Sequence, residues 1–300
     1  MHGTALHTIE ALKKEFDRLR PRKESLLTLL EESELPESVY NSNAIENSTL
    51  TFDETERILI HQEFPPHHNR REIFEAINLG KVTEYLDEVV RKKHALNDDL
   101  ILKVHGTLLS HINDGIAGRF RGKNEYVRVG PHIAPAPEHV LSLMTAALDQ
   151  YHSGAGHLLD RIIAFHLEFE RIHPFCDGNG RVGRALLNFQ LKSHGFPPII
   201  VRNKEKVEYY LALQSYDVDR SAKAFEHIVV ALLKESFHKR ITYLRDDDIL
   251  LLSALVKEQK KRSPQSIGNA AKKQSLPAFR ERGRWKVGRG MFEEWLKLNS

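Results

Sequence analysis

The chain has 300 residues, 44 Lys+Arg against 41 Asp+Glu for a net charge of +3, 41% hydrophobic residues and one cysteine. This is ordinary content for a folded chain with ample core, and it predicts one large domain plus a small one. No apolar run is long enough to span a bilayer and no signal-peptide pattern is evident at the N-terminus, so no membrane partner and cytoplasmic residence are expected; the lone Cys176 excludes an internal disulfide.

Leu6, Ile9, Leu12, Phe16 and Leu19 recur with helical spacing up to Pro21, and a second helix begins over residues 25–30. Residues 36–47 predict a further helix, with Pro36 at its first position and Asn47 as a left-handed stop; Ser42 and Glu46 then share a face. Thr51 and Glu54 form a capping box that opens amphipathic segments running over 53–110. Within them, Pro65-Pro66-His67-His68 reads as a solvated loop, because no HExxH or Cys/His cluster accompanies it. Over 117–132, Tyr126 and Arg128 alternate with Val127 and Val129 before Gly130-Pro131, the pattern of a short hairpin. Its edge either invites pairing with an extended segment or simply connects two elements.

The densest chemistry lies in His173-Pro174-Phe175-Cys176-Asp177-Gly178-Asn179-Gly180-Arg181-Val182-Gly183-Arg184. Leu159, Ile162, Ile163, His166 and Phe169 place a helix before it, and Ala185 to Phe189 resume an apolar stripe after it. Pro174 disfavours the α region at His173, so the first helix should stop with that imidazole at its C-terminal edge. The end of a helix dipole should raise its proton affinity, an effect that a nearby metal and the arginines oppose. Gly178 and Gly180 let backbone amides turn toward an anion, and Arg181 and Arg184, three apart, can both fork onto phosphate oxygens at a helix N-terminus. Asp177 beside this cradle is suited to Mg²⁺, which needs only one or two protein oxygens when phosphates supply the rest. A single histidine base, worth about 10²- to 10⁴-fold, suffices for in-line phosphoryl chemistry.

The segment resembles the signature H-x-F-x-[D/E]-G-N-G-R-x-x-R of Fic-domain proteins at every specified position. The resemblance implies transfer of AMP from ATP to a Ser, Thr or Tyr hydroxyl of a protein, itself included. By it His173 is the general base and Asp177 holds Mg²⁺. Gly178, Asn179, Gly180 and the loop amides hold the α-phosphate, Arg181 and Arg184 the β- and γ-phosphates, and Phe175 pins the loop to the core. The relative that phosphorylates its target has lysine where this chain has Gly180. Ser42-Asn43-Ala44-Ile45-Glu46-Asn47 resembles the family's inhibitory motif [S/T]-x-x-x-E-[G/N], which implies that Glu46 pairs with Arg184 and holds the enzyme off; in some relatives this glutamate also supports removal of AMP. The family's flap implies a role for the hairpin in aligning the acceptor. Tyr209 or Tyr210, on a helix through residues 205–213, would stand near adenine or serve as packing.

A further helix is expected over 221–241, and then the charge segregates. From Lys257 to Ser300 there are twelve Lys+Arg against four Asp+Glu, a net of +8 that leaves −5 for the rest. Asp246 to Asp248 are expected to cap a helix through Lys257, with a short helix over 266–271, a strand-turn wing over 282–289 and a last helix over 291–298. This resembles, weakly, the winged helix-turn-helix modules appended to some Fic proteins. It implies either DNA-backbone contact or a basic packing or dimerisation module. The expected architecture is therefore mainly α: an N-terminal helical region with the inhibitory motif (1–104), a Fic-type helical core with a short β-hairpin flap (105–245) and the basic winged-helix-like module (246–300). Alternatives are a DNA-binding regulator with a nucleotide-sensing core, or transfer of another phosphate-containing group.

Overall fold

The computed structural model describes residues 3–65, 69–259 and 262–299; Pro66, His67 and His68 of the expected solvated loop lie outside them. The chain is mainly helical and divides into two compact units, residues 34–226 and residues 1–33 with 227–300.

Helix α1 (Gly3–Leu19) buries Ile9 and Phe16 from the expected stripe. The segments expected as two helices around Pro36 form one, α2 (Glu24–Ile45), with Pro36 inside it. An interior proline costs a helix about 3 kcal/mol; burial of Val39, Ala44 and Ile45 just beyond it offsets that cost. Asn47 follows at φ 70°, the left-handed stop that the sequence predicts. Thr51 and Glu54 make the reciprocal capping box of α3 (Phe52–Glu56), which runs into a π-turn over Arg57–His61.

Within the larger unit, α7 (Leu158–Ile172) and α8 (Asn179–Ser193) pack together across the signature turn. Around this pair stand α4 (Arg70–Arg91), α5 (Asp98–Leu109), α6 (Val140–His152) and α9 (Lys206–Asp219). The alternating segment forms a minimal antiparallel hairpin, β1 (Arg128–Val129) and β2 (His132–Ile133), with Val129 opposite His132 and Gly130 at φ 57° in the turn. Two residues per strand pair, and the N–H of Ala134 donates to Val127 O at 3.1 Å just beyond them.

Helix α10 (Lys223–Leu244) leads to the C-terminal elements: β3 (Ile249–Leu251), α11 (Leu252–Glu258), α12 (Pro264–Lys272), β4 (Ala278–Glu281), β5 (Arg284–Gly288) and α13 (Arg289–Leu298). The sheet is antiparallel in the order β3-β5-β4. Leu255, Ile267, Leu276, Val287 and Phe292 form its core. The acidic run does not cap the helix that follows it, since β3 intervenes. Instead the Asp247 carboxylate accepts from the N–H groups of Gly290 (2.9 Å) and Met291 (3.1 Å), satisfying the first turn of α13. Part of the basic charge is spent internally: Arg280 is buried against Glu235 at 2.6 Å, and Lys286 pairs with Glu281.

Candidate active site

Helix α7 ends where Pro174 requires. His173 caps it in the left-handed region (φ 50°, ψ 62°) rather than in the extended one, because its own N–H still closes the last turn onto Phe169 O at 2.9 Å. The imidazole Nδ1 lies 3.2 Å from Glu170 O, an acceptor only, so Nδ1 carries the proton and Nε2 keeps its lone pair. Burial pushes the pKa of this ring down to about 4, against the rise expected from the helix end: desolvation of the imidazolium outweighs the nearby carbonyls.

The turn itself is held from inside. Phe175 is fully buried and stacks on His105, with ring centroids 3.7 Å apart and planes 10° apart. The Asn179 carboxamide is spent in both directions on Phe175, accepting from its N–H at 2.9 Å and donating to its O at 2.8 Å. That side chain therefore shapes the turn and is not turned out toward a ligand. Gly178, at φ 81°, begins α8 with no side-chain cap, so the first-turn amides of α8 have no intrahelical acceptor. At Gly180 a Cβ would stand 2.3 Å from Glu46 Oε1 and 2.9 Å from Arg184 Nη1, so any side chain there would force the pair that meets at this point to shift.

That pair joins the two motifs. Arg184 donates through Nε to Ser42 Oγ (3.0 Å) and through Nη2 to Ser42 O (2.8 Å) and Glu46 Oε1 (2.8 Å). Its Nη1 is buried with no hydrogen-bond partner. The segment carrying Ser42 and Glu46 is fastened nearby: Arg202 pairs with Glu37 (3.0 Å), Asn203 N donates to Asn41 (3.0 Å), and Lys206 Nζ donates to Asn47 (2.7 Å). Arg181 lies instead within a ring of alternating charge, 2.9 Å from Glu75 and 3.2 Å from Asp177, and Arg71 contacts both carboxylates to close it. Burial opposes ionisation of Asp177, but Arg181 and Arg71 outweigh it and hold its carboxyl below the usual range. The residue fits a single-carboxylate Mg²⁺ site: ionised, 34% exposed and beside the uncapped helix end. Among the described residues no three His, Cys, Asp or Glu side chains gather to hold a metal, so other oxygens would have to complete the sphere.

Tyr209 is not placed to stack on a base. It is buried among His166, Phe225 and Arg184, with its hydroxyl 2.9 Å from His166 Nε2 and 3.4 Å from Glu170 Oε1. Tyr210 is half-buried, with Lys206 Nζ 5.8 Å from its ring centroid. Burial pushes Glu170 up to about 7, although Arg184 works against the rise.

His105, Glu170, Arg71, Glu75 and Arg121 all serve this site and were not singled out from the sequence. His105 donates through Nε2 to Asp177 O at 3.1 Å while its Nδ1 accepts from Gly118 N at 3.0 Å, a tie between residues 72 positions apart. No local pattern announces such a contact. Glu170 alone had a signal, a carboxylate on the apolar face of α7.

A turn between two packed helices, with an imidazole at its entry and glycines, arginines and a free helix N-terminus at its exit, matches the Fic/DOC family over residues 95–191. The chain thus carries a Fic domain. It is 34% identical over 176 residues to the "Protein adenylyltransferase Fic" of Nematostella vectensis, covering 57% of this chain and 41% of that one. The chain spans between 34% and 41% of the length of curated relatives such as this one. Among solved structures, a Fic domain-containing signaling protein from Bacteroides thetaiotaomicron aligns with TM-score 0.74 at 24% identity, over 80% of this chain and 97% of that one. Fic-1 from C. elegans aligns with TM-score 0.68 at 27% identity, over 81% and 71%.

Proposed function

We propose that this protein transfers AMP from ATP to a hydroxyl of a protein side chain and is held off by Glu46. The observation that carries the reading is the junction of the two motifs at one guanidinium, Arg184 against Ser42 and Glu46, beside a histidine whose Nε2 is a free base. His173 Nε2 takes the proton of the attacking hydroxyl; with Nδ1 fixed on Glu170 O, the acceptor nitrogen is the correct one. The amides of Gly178, Asn179 and Gly180 and the start of α8 hold the α-phosphate. Asn179 contributes backbone only, since its carboxamide is engaged with Phe175. Arg181 and Arg184 hold the outer phosphates, which for Arg184 requires Glu46 to leave. Mg²⁺ on Asp177 would offset charge between the phosphates. Tyr210 takes the role beside adenine in this reading, which its half-buried position supports over the enclosed Tyr209. The hairpin pairs with the acceptor segment, and the same Glu46 serves AMP removal.

Functionally the chain divides as the inhibitory region 1–104, the catalytic core 105–245 and the basic module 246–300. The C-terminal order strand-helix-helix-strand-strand-helix, with a net charge of +8 over 257–300, supports a second reading for that module: a winged helix-turn-helix that contacts DNA backbone. The decisive experiment is intact-mass analysis after incubation with ATP and Mg²⁺. Glu46→Gly should gain AMP on itself, the wild-type chain little, and Glu46→Gly with His173→Ala none. An adduct of another mass would replace the reading, and equal near-zero labelling of the first two would sink it. Salt-dependent retention of DNA, lost on removal of residues 249–300, tests the module.

A further inference from the structure

A helix leaves its last carbonyls without internal partners, and at the end of α7 every one of them is accounted for. Phe169 O accepts from His173 N (2.9 Å), and Glu170 O faces His173 Nδ1 (3.2 Å). The remaining donors come from the segment around the hairpin. His132 Nε2, on β2, lies 2.9 Å from Arg171 O, and its Nδ1 lies 2.8 Å from Asp217. Arg121 supplies the rest: Nη2 to Ile172 O (3.1 Å), Nε to His173 O (2.8 Å) and its backbone N–H to Pro174 O (2.9 Å). The same guanidinium reaches both legs of the hairpin, donating through Nη1 to Glu125 O (3.4 Å) and through Nη2 to Pro135 O. It is 2% exposed.

We infer that Arg121 is a positioning residue for the base: it clamps the His173 turn and both roots of the hairpin with one guanidinium, so the strand that receives an acceptor and the ring that deprotonates it keep a single register. This rests on the reading of His173 as base. The geometry needs arginine. Five donors in a rigid fork serve carbonyls on three chain segments at once, and they remain charged at any working pH. A lysine offers one flexible point of charge, and glutamine a single pair of donors. The effect is carried to His173 through its backbone carbonyl and thus through the ring orientation that the Nδ1 bond to Glu170 O requires. A misplacement of about 1 Å at a base costs on the order of 100-fold in rate. The hydrogen bonds of Arg121 run to Glu125, Pro135, Ile172, His173 and Pro174 and none runs to Gly180 or Arg184, so its loss leaves the contacts of those two residues in place.

The test uses Arg121→Gln and Arg121→Lys, each in the full chain with Glu46→Gly, followed by two readouts. The first compares Mg-ATP affinity by calorimetry with the self-modification rate by intact mass. Affinity should stay within about twofold of the Glu46→Gly parent while the rate falls about 10- to 100-fold, with lysine recovering part of the glutamine loss. The second is histidine-selective ¹⁵N NMR, which needs no activity. In the parent, His173 should show one tautomer, protonated at Nδ1, and a titration midpoint near 4; in Arg121→Gln it should show mixed tautomers and a midpoint moved toward the ordinary value. A folded Arg121→Gln chain with the parent's rate and an unchanged His173 spectrum overturns the inference. If Arg121→Gln does not fold, Arg121→Lys decides by the same two measures. A parent that never labels itself counts against the transferase reading, and the NMR arm then still decides this one.

Discussion

Replacing Glu46 by glycine should make the protein less stable when empty and more responsive to nucleotide, two effects of opposite sign. Arg184 is 7% exposed and makes three bonds; the change removes the one to Glu46 Oε1 and leaves the two to Ser42. Breaking a fully buried ion pair from one side costs about 3–5 kcal/mol. The Glu46 carboxylate is 32% exposed, so solvent screening reduces the loss to about 1–3 kcal/mol. For a chain of this size that lowers Tm by about 2–10 °C. Mg-ATP at about 100 times its Kd then returns about 2.7 kcal/mol, but only to the chain whose Arg184 is open to phosphate. Thermal melts of wild type, Glu46→Gly and Glu46→Gln with and without Mg-ATP read both effects. Glu46→Gln keeps the shape without the charge and should behave like the glycine variant toward nucleotide. An unchanged Tm for empty Glu46→Gly, or equal nucleotide shifts in all three, would refute the role assigned to the pair.

Transfer by Glu46→Gly should keep its rate well below pH 6. With His173 pushed down to about 4 the ring is almost wholly neutral at pH 5.5, where an ordinary histidine would be about one-tenth neutral; initial rates against pH that fall with a midpoint near 6.5 would contradict this. Glu170, held up to about 7, keeps its proton in the folded chain over a range where the unfolded chain has lost it, so it removes stability as pH rises from about 4.5 to 7. Urea unfolding should show Glu170→Gln gaining up to about 3 kcal/mol relative to wild type at pH 8 and little at pH 4; parallel curves at both pH values would refute it. Phe175→Ala, which empties the stack on His105, should cost about 3–5 kcal/mol in the same assay and weaken nucleotide binding with it.

The parts of the site that are local in sequence were legible as residues. His173, Asp177, the glycines and both arginines fall within twelve positions, and proline and glycine rules alone place a helix end and a turn there. The capping box at Thr51 and the left-handed Asn47 were legible for the same reason. What failed was whatever depends on the surroundings. Propensity broke α2 at Pro36, where packing of Val39 and Ile45 carries the helix through. At His173 the sequence sets a helix end that raises proton affinity against cations that lower it; the cause that decides it, desolvation by burial, depends on the fold. Two adjacent tyrosines looked alike in sequence; the turn of α9 sends Tyr209 into the core and leaves Tyr210 half-buried. Asp247 serves a helix 43 residues downstream, a contact that only the fold creates.

Glu46 and Arg184 belong to one chain, and the stretch carrying Glu46 is tied down through Glu37, Asn41 and Asn47. Their association is intramolecular, with an effective molarity fixed by the fold, and neither dilution nor overexpression shifts it. A signal that opens this guanidinium must therefore loosen the fastening at residues 202–206 or outcompete the carboxylate directly, and the first route needs no contact with the signature turn at all.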